Sequence, residues 1–337
     1  MRKIKRRQEK YKKKLIIISV FSFLIIMTSG YAAFSTNISL HAKGNIKCNP
    51  KNIQDKILRD LTTEGDGLYK DEYTEGRYIY KGSNPNNYIV FNNELWRIIA
   101  QEKDGTLKIL KNDFLDKQMS FDTAGNRTTG YCSLDNAPTR GCNAWSSTER
   151  MIGGTTEFVN GSFKGMVDTD SEINTYLNGE YYNNLSQESK NLIVNYDYNI
   201  GGIPYNRTLT MKEQLEKEST YKWNGKVALI NLSDYVLTNS NQNICGISGN
   251  NYADENFAIC RNTTWLYYHN VIWWTLTPYT LVPYTVWDIN GSGHLGSGYK
   301  AGINVASVRP VVHIKSTFTV CGEGTQNNPY QIQDNIN

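Results

Sequence analysis

The alternation of hydrophobic and polar positions predicts short strands over most of the chain after Gly65. Runs rich in β-branched and aromatic residues are separated by Gly, Pro and Asn, as is typical of strands joined by turns. Lys103-Asp104-Gly105 predicts a hairpin turn between two of these runs. The predicted strands are residues 77–82, 87–93, 94–102, 106–112, 271–278, 283–290, 303–314 and 318–320, followed by a turn and a last strand in residues 322–332.

Helical spacing is confined to a few segments. Residues 52–62 place Ile53, Ile57 and Leu61 on one face. Residues 171–185 and 186–196 each follow a capping residue, and these are the two helices predicted for the main domain. A strand running into a turn or short helix is expected at residues 226–237, and two polar stretches, residues 119–165 and 240–264, are predicted to be long loops. The fold class is therefore α+β.

The N-terminus has the layout of an export signal. Residues 1–14 carry nine basic side chains, residues 15–27 carry no charge, and small residues including Ala32 and Ala33 follow. Thirteen apolar residues suit a signal peptide cleaved near Ala32–Ala33, whereas residues 15–34 together would reach across a bilayer as an anchor helix. Both alternatives stay open. In either case the basic residues stay in the cytoplasm and the rest of the chain is extracytoplasmic.

This segment defines the predicted organisation and the charge of the chain. Residues 1–14 form a basic cytoplasmic segment, 15–34 the signal peptide or membrane anchor, 35–64 a linker arm with a short helix, and 65–337 the globular domain. The whole chain has a net charge of +4, but its first fourteen residues contribute +8. The remainder is therefore acidic, at −4, and we expect no nucleic-acid partner.

The six cysteines all follow the apolar segment. An even count in an exported chain predicts disulfides. Six cysteines permit fifteen connectivities. The simplest of these pairs neighbours across each polar loop and joins the two ends of the domain: Cys132 with Cys142, Cys245 with Cys260, and Cys48 with Cys321.

No catalytic motif is found in the sequence, so we expect no catalytic residues and favour a non-enzymatic role. One loop has the opening of a calcium site, because Asp288, Asn290 and Ser292 place oxygen atoms at alternate positions. Its twelfth position is Tyr299 rather than the required Glu. A hairpin with Asn-Gly as the turn explains the same residues and is the favoured interpretation; calcium remains the only cofactor considered.

Tyr and Trp residues are numerous, and many lie in predicted loops beside Asn. Aromatic rings stack and amides hydrogen-bond, so this combination suits a sugar or protein ligand. Trp273, Trp274 and Trp287 lie in strand contexts and are predicted to be core. The candidate ligand-binding residues are Trp265, Tyr267, Tyr268, Tyr284, Trp287, Asp288 and Asn290.

Five ordered segments resemble a family of uncharacterised secreted or membrane-anchored domains of Gram-positive gut bacteria. The segments are residues 86–99, 171–193, 273–278 (WWTLTP), 307–316 (SVRPVVHIKS) and 322–332. The order of helices, loops, hairpin and final strand more loosely resembles C-type lectin-like and formylglycine-generating-enzyme-like folds. Lectins of that group often bind sugars through calcium, but only Trp287-Asp288 matches their motifs here, and the EPN or QPD element is missing.

The leading functional hypothesis is an extracytoplasmic cell-surface binding or adhesion module with a glycan or protein ligand. It would be tethered to the membrane through residues 15–34, or secreted if these are cleaved. Two alternatives stay open: an enzyme acting on the cell wall or on glycans, and a structural surface protein that self-assembles.

Overall fold

The computed structural model describes residues 48–123, 140–146, 170–247, 251, 256–282, 284–296 and 298–333. The chain divides into two units, Met1–Cys48 and Asn49–Asn337, and the second is described below. The predicted basic segment, the membrane or signal segment, its cleavage site at Ala32–Ala33 and most of the linker arm lie outside the described residues. No helix within the described part is long and apolar enough to cross a membrane.

The described part is a mixed α+β domain built from short elements, as predicted. Its strands are β1 (Lys51–Asn52), β2 (Gly67–Lys70), β3 (Tyr78–Lys81), β4 (Tyr88–Phe91), β5 (Glu94–Gln101), β6 (Leu107–Lys111), β7 (Tyr196–Asn199), β8 (Lys222–Gly225), β9 (Val227–Ala228), β10 (Trp273–Pro278), β11 (Val286–Ile289), β12 (Leu295–Gly296), β13 (Val311–Ile314), β14 (Thr319–Cys321) and β15 (Tyr330–Gln333). Its helices are α1 (Ile53–Ile57), α2 (Glu172–Tyr176), α3 (Gln187–Leu192), α4 (Met211–Glu218), α5 (Leu232–Leu237), α6 (Gln242–Cys245) and α7 (Phe257–Asn262).

One large sheet organises the domain. Its strands follow the order β1-β14-β15-β4-β5-β6-β13-β9, and β3 pairs with both β2 and β5. Neighbours are antiparallel except β15, which lies parallel to β4 with Tyr330 opposite Ile89. The last described strand therefore joins β1 and β14 to the rest of the sheet.

The two faces of this sheet differ in polarity because side chains alternate along a strand. Ile98, Ile109 and Val312 are cross-strand neighbours on one face, and all three are buried. Lys108 lies opposite His313 on the other face, and both are buried too. Charged side chains thus lie inside the domain on one face of its main sheet.

The predicted helices are confirmed at their N-termini, where side chains cap exposed backbone N–H groups. The hydroxyl of Ser171 accepts from the N–H of Asn174 at the start of α2, and that of Ser186 accepts from Ser189 at the start of α3. A π-helical turn, Leu177–Tyr181, extends α2. The second helix ends at Leu192, before the predicted residue 196, because the chain there enters strand β7.

Helix α1 lies within the unit Asn49–Asn337, and its Ile53 and Ile57 are core residues. Two other expectations differ from the structure. The stretch 240–264 is not simply a loop, because it contains α6 and α7. Of the predicted strand 303–314, only Val311–Ile314 is regular.

Two smaller β elements pack beside the main sheet. Strands β10, β11 and β12 form an antiparallel sheet, and β7 pairs with β8 as a hairpin. The prediction that Trp273, Trp274 and Trp287 are core residues is confirmed, since each is fully buried. The connection between β11 and β12 is the hairpin favoured over a calcium loop, with Ile289 paired to Leu295.

The predicted bridge between Cys245 and Cys260 is present and ties α6 to α7. Cys48, Cys142 and Cys321 are also disulfide-bonded. Cys132 lies outside the described residues, so its predicted pairing with Cys142 stays a prediction.

Replacing both Cys245 and Cys260 by Ala is expected to lower the free energy of unfolding by about 3 kcal/mol. The bridge closes a loop between residues 15 positions apart and restricts the unfolded chain accordingly. Urea unfolding of the wild type and the double variant measures the difference. Thiol alkylation and mass spectrometry verify that the other bridges stay closed, and equal unfolding midpoints would contradict the expectation.

Candidate functional site

A cleft of about 180 Å³ lies over the polar face of the main sheet. Lys108 of β6 and His313 of β13 contribute to its lining. The β7–β8 hairpin contributes Tyr196 and Lys222, and α5 contributes Asp234. The site is thus assembled from strands and a helix that are distant in sequence.

A buried cluster of charges forms one wall of the cleft. The guanidinium of Arg77 donates to Asp71 at 2.7 Å and to Glu102 at 2.9 Å, and it lies 3.6 Å from Asp234. The Nζ of Lys108 donates to the second oxygen of Asp234 at 2.7 Å. Two cations and three carboxylates therefore satisfy one another in a part of the domain with little access to water.

The carboxylates decide the protonation of Arg77. Burial alone would lower its pKa, but the charges of Glu102, Asp71 and Asp234 together outweigh burial and raise it. Arg77 therefore stays charged. Lys108, by contrast, contacts only Asp234 among the carboxylates of the described part, so removing Asp234 would leave the Lys108 charge buried without a carboxylate in contact.

His313 and Tyr196 form a stacked pair next to this cluster. Their ring centroids are 3.4 Å apart and their planes differ by 5°. Tyr198 meets the same imidazole edge-on at 5.2 Å. Burial, with the charges of Lys108 and Arg77, lowers the pKa of His313 well below its ordinary value, so the ring is neutral. Tyr196 itself is only half-buried and lines the cleft.

The first turn of α5 is held by two acidic side chains. Asp234 accepts from the N–H of Asn231 at 2.9 Å as part of a capping box. Glu218 accepts from the N–H of Ser233 at 3.2 Å, from the Ser233 hydroxyl and from the Thr277 hydroxyl at 2.6 Å. Burial raises the pKa of Glu218 to about 7 despite these hydrogen bonds. Carboxylates at a helix N-terminus are also favoured by the helix dipole.

The carboxylates of the ion cluster are all engaged by its two cations. Glu102 and Asp234 both contact the same guanidinium, so neither is available as a free acid or base. The rest of the lining is mixed in character. Asn199, Asn231 and Tyr196 supply amide and aromatic groups, and the other members include charged and apolar residues: Asp197, Lys222, Leu215 and Leu237.

Several aromatic residues predicted to bind a ligand instead surround buried arginines. Trp265 is buried, its Nε1 donates to the carbonyl of Tyr80, and its ring lies 4.3 Å from the Arg97 guanidinium. Tyr268 is half-buried and lies 5.5 Å from the guanidinium of Arg309.

Two further candidates are half-buried and engaged elsewhere. The hydroxyl of Tyr267 is 2.9 Å from Nδ1 of His269. The hydroxyl of Tyr284 accepts from Arg140 at 2.8 Å. The structure therefore does not bring the seven predicted ligand-binding residues together at one site.

The predicted calcium ligands do not converge. The Oδ1 of Asn290 accepts a hydrogen bond from the backbone N–H of Ser292 at 2.9 Å, within the β11–β12 hairpin turn. Asp288 is buried against Gly296, while Ser292 is exposed. Trp287 lies in the core with its Nε1 donating to the carbonyl of Ile203. Within the described residues, no group of three or more His, Cys, Asp or Glu side chains is arranged to hold a metal ion.

The fold and the cleft together define a disulfide-bonded α+β domain with a charge-compensated polar site. A domain of unknown function, DUF6273, is found at residues 160–316. This segment contributes Tyr196, Asp234 and His313 to the cleft, whereas Arg77 and Lys108 precede it. Comparisons with curated proteins and with solved structures return no match.

The residues of the cleft were not among the sequence candidates, although the sequence carries a weak signal for some of them. Lys108 and His313 interrupt apolar strand patterns, in LKILK and VVHI, where a buried strand is otherwise expected to stay hydrophobic. Arg77 and Asp234 carry no comparable signal, because each lies next to a turn or helix end where charge is common.

Asp234→Asn is expected to lower the free energy of unfolding by about 3–5 kcal/mol, because it leaves Lys108 and Arg77 buried with less compensating charge. Glu216→Gln serves as the control: it removes an exposed pair in which Lys212 is 3.9 Å away, and a change below about 0.5 kcal/mol is expected. Urea unfolding at pH 7 measures both. Similar small changes in the two variants would contradict a stabilising role for the cluster.

Asp288 is expected to make stability fall as pH rises. Both of its oxygens are buried, and burial raises its pKa to about 7 from 3.8, although a hydrogen bond from the Tyr299 backbone acts in the opposite direction. A raised folded-state pKa contributes stability below the unfolded pKa, and that contribution is lost as pH rises toward 7. Between pH 5 and pH 8 the wild type should therefore lose about 2–3 kcal/mol relative to Asp288→Asn.

Urea unfolding of both proteins at the two pH values tests this expectation. Glu218 titrates in the same direction but is present in both proteins, so its effect cancels. The exposed Asp55 provides the control, since Asp55→Asn should follow the wild type. Parallel curves for the wild type and Asp288→Asn would show that the buried carboxylate does not titrate as described.

Proposed function

We propose that this chain is an extracytoplasmic binding module that holds a neutral, hydroxyl-rich ligand, of the glycan class, in the cleft beside Tyr196. The observation that carries the proposal is the compensated charge of the cleft wall. Arg77 and Lys108 are already neutralised by Asp71, Glu102 and Asp234. A charged ligand could pair with Arg77 or Lys108 only by displacing one of these partners, whereas a neutral polyhydroxyl ligand would only exchange hydrogen bonds with water.

The lining of the cleft supports the same ligand class. Amide groups of Asn199 and Asn231 supply both donors and acceptors. Tyr196, whose ring stacks on His313, lines the cleft and supplies an aromatic ring and a hydroxyl group. Sugars are commonly bound by such a pairing of a ring with amides.

Catalysis on a glycan is the weaker alternative. A glycosidase requires one carboxylic acid and one carboxylate with separate environments. Here Glu102 and Asp234 contact one arginine and form parts of one ion cluster. The third possibility, a self-assembling surface protein, has no specific support among the described residues.

Location at the cell surface is part of the proposal. The Cys245–Cys260 bridge supports it, because such bridges are typical of proteins that fold in oxidising compartments. Residues 15–34 would then anchor the chain, or be removed near Ala32–Ala33. The resemblances to secreted domains of Gram-positive gut bacteria and to C-type lectin-like folds agree with this location and with glycan binding.

Tyr196→Phe is expected to weaken binding of a neutral glycan about five- to tenfold, the effect of one lost hydrogen bond with the ring still in place. The full chain, purified in mild detergent, would first be screened on a glycan array. The strongest neutral glycan would then be titrated calorimetrically against wild type and variant.

Tyr176→Phe is the matched control, because Tyr176 is also half-buried but lies on α2 outside the cleft. It should bind like the wild type. A blank array with folded protein, or equal weakening in both variants, would reject the cleft as the binding site.

A further inference from the structure

One carboxylate of the buried ion cluster keeps an oxygen that the cluster does not use. Glu102 accepts from the Nε of Arg77 at 2.9 Å through its Oε2. Its Oε1 has no hydrogen-bond partner within the described part of the chain. This atom is not fully buried, so it keeps access to solvent although the residue as a whole is only 8% exposed.

The other two carboxylates of the cluster use both of their oxygens. The Oδ2 of Asp71 accepts from Arg77 at 2.7 Å, and its Oδ1 accepts from the backbone N–H of Tyr73 at 2.8 Å. Both oxygens of Asp234 face cations, at 2.7 Å and 3.6 Å. The Oε1 of Glu102 is therefore the acceptor that the cluster leaves for a ligand.

The backbone fixes Glu102 at the end of β5. Its N–H donates to the carbonyl of Thr106 at 2.8 Å, and its carbonyl accepts from the N–H of Gly105 at 2.9 Å. These bonds close the hairpin turn between β5 and β6. The ion pair with Arg77 then restricts the side chain, so the free oxygen is held in one place before any ligand arrives.

The neighbours of this carboxylate belong to the cleft. Glu102 lines the cleft, and so do Arg77, Tyr196 and Tyr198. Burial, and after it the charge of Glu102, raises the pKa of Tyr196, which shows that the carboxylate and the phenol lie close to each other. The free oxygen is thus next to the aromatic ring that the proposed ligand would contact.

The chemistry of this oxygen selects its partner. A carboxylate oxygen accepts hydrogen bonds and cannot donate them, so the group bound to it must be a donor. In a neutral polyhydroxyl ligand that donor is a hydroxyl group. Hydrogen bonds to a charged acceptor are stronger than those between neutral groups, and a ligand that lacks the donor leaves the charged oxygen unpaired.

We propose that Glu102 is the specificity-determining residue of the cleft, and that its Oε1 accepts a hydrogen bond from one hydroxyl group of the bound glycan. The inference rests on the proposed function and narrows it. The ligand class becomes glycans in which this one hydroxyl is free rather than methylated, acylated or joined to another sugar.

The experiment uses the full chain and the strongest neutral glycan from the array. Analogues of that glycan, each with a single hydroxyl replaced by fluorine, are titrated calorimetrically against the wild type. Fluorine is similar in size to a hydroxyl but cannot donate. One analogue is expected to bind about ten- to a hundredfold more weakly than the parent glycan, as for a lost hydrogen bond to a charged group.

Glu102→Gln is expected to remove this selectivity. The Nε of Arg77 still requires an acceptor, so the amide oxygen stays there and the NH₂ group replaces Oε1. The cleft then presents a donor, which fluorine and hydroxyl both tolerate, and the parent glycan and the weak analogue should differ by about threefold or less. A variant that only loosened the fold would weaken both and keep their ratio.

Glu102→Asp is the second variant, in case the amide destabilises the cluster. It keeps the negative charge, but its side chain is one methylene shorter and cannot reach Arg77 and the glycan together, so the selectivity should fall here as well. The control is Glu216→Gln, which removes an equal charge from an exposed position outside the cleft and should keep the full wild-type ratio.

Three results would overturn the inference: every analogue binding the wild type within about threefold of the parent glycan, full selectivity in both Glu102 variants, or an equal loss of selectivity in Glu216→Gln. A blank array rejects the proposed function and this inference with it. Binding that Tyr196→Phe weakens, but that stays equally selective in the Glu102 variants, rejects this inference alone.

Discussion

The buried ion cluster around Arg77 is the interaction on which the rest of the domain depends. A sheet that carries Lys108 and His313 on one face cannot cover that face with apolar side chains alone. Helix α5 supplies Asp234, and the connection between β2 and β3 supplies Asp71 and Arg77. Helix α5 and the β7–β8 hairpin cover this polar face, and the space that remains beside them is the cleft.

Local features of the fold were predictable from sequence because they rest on neighbours in the chain. Ser171 and Ser186 marked helix starts, and alternating residues marked β4, β5 and β6. Helix α4 was missed although Thr210 and Glu213 form a capping box that the sequence shows plainly. The parallel pairing of β15 with β4 could not be predicted, because the hydrophobic pattern of a strand does not specify which strand it pairs with.

The candidate site was harder to predict because its members are charged or polar residues that any surface could carry. Arg77 and Asp234 can be recognised as members of one site only in the folded domain, where the guanidinium of Arg77 lies 3.6 Å from the carboxylate of Asp234. The aromatic residues singled out in the sequence are a different case. Trp265 and Tyr268 lie against the guanidinium groups of Arg97 and Arg309. Their rings therefore cover buried charges and do not form a surface that faces solvent.

Strand β15 places a condition on how the domain folds. Its residues are the last that the structure describes, yet they sit between β14 and β4, and β4 lies more than two hundred residues earlier in the chain. Closing so long a loop is entropically unfavourable until the pairing forms. The main sheet therefore cannot be completed before the residues of β15 have been synthesised, so a nascent chain that lacks them stays incompletely folded.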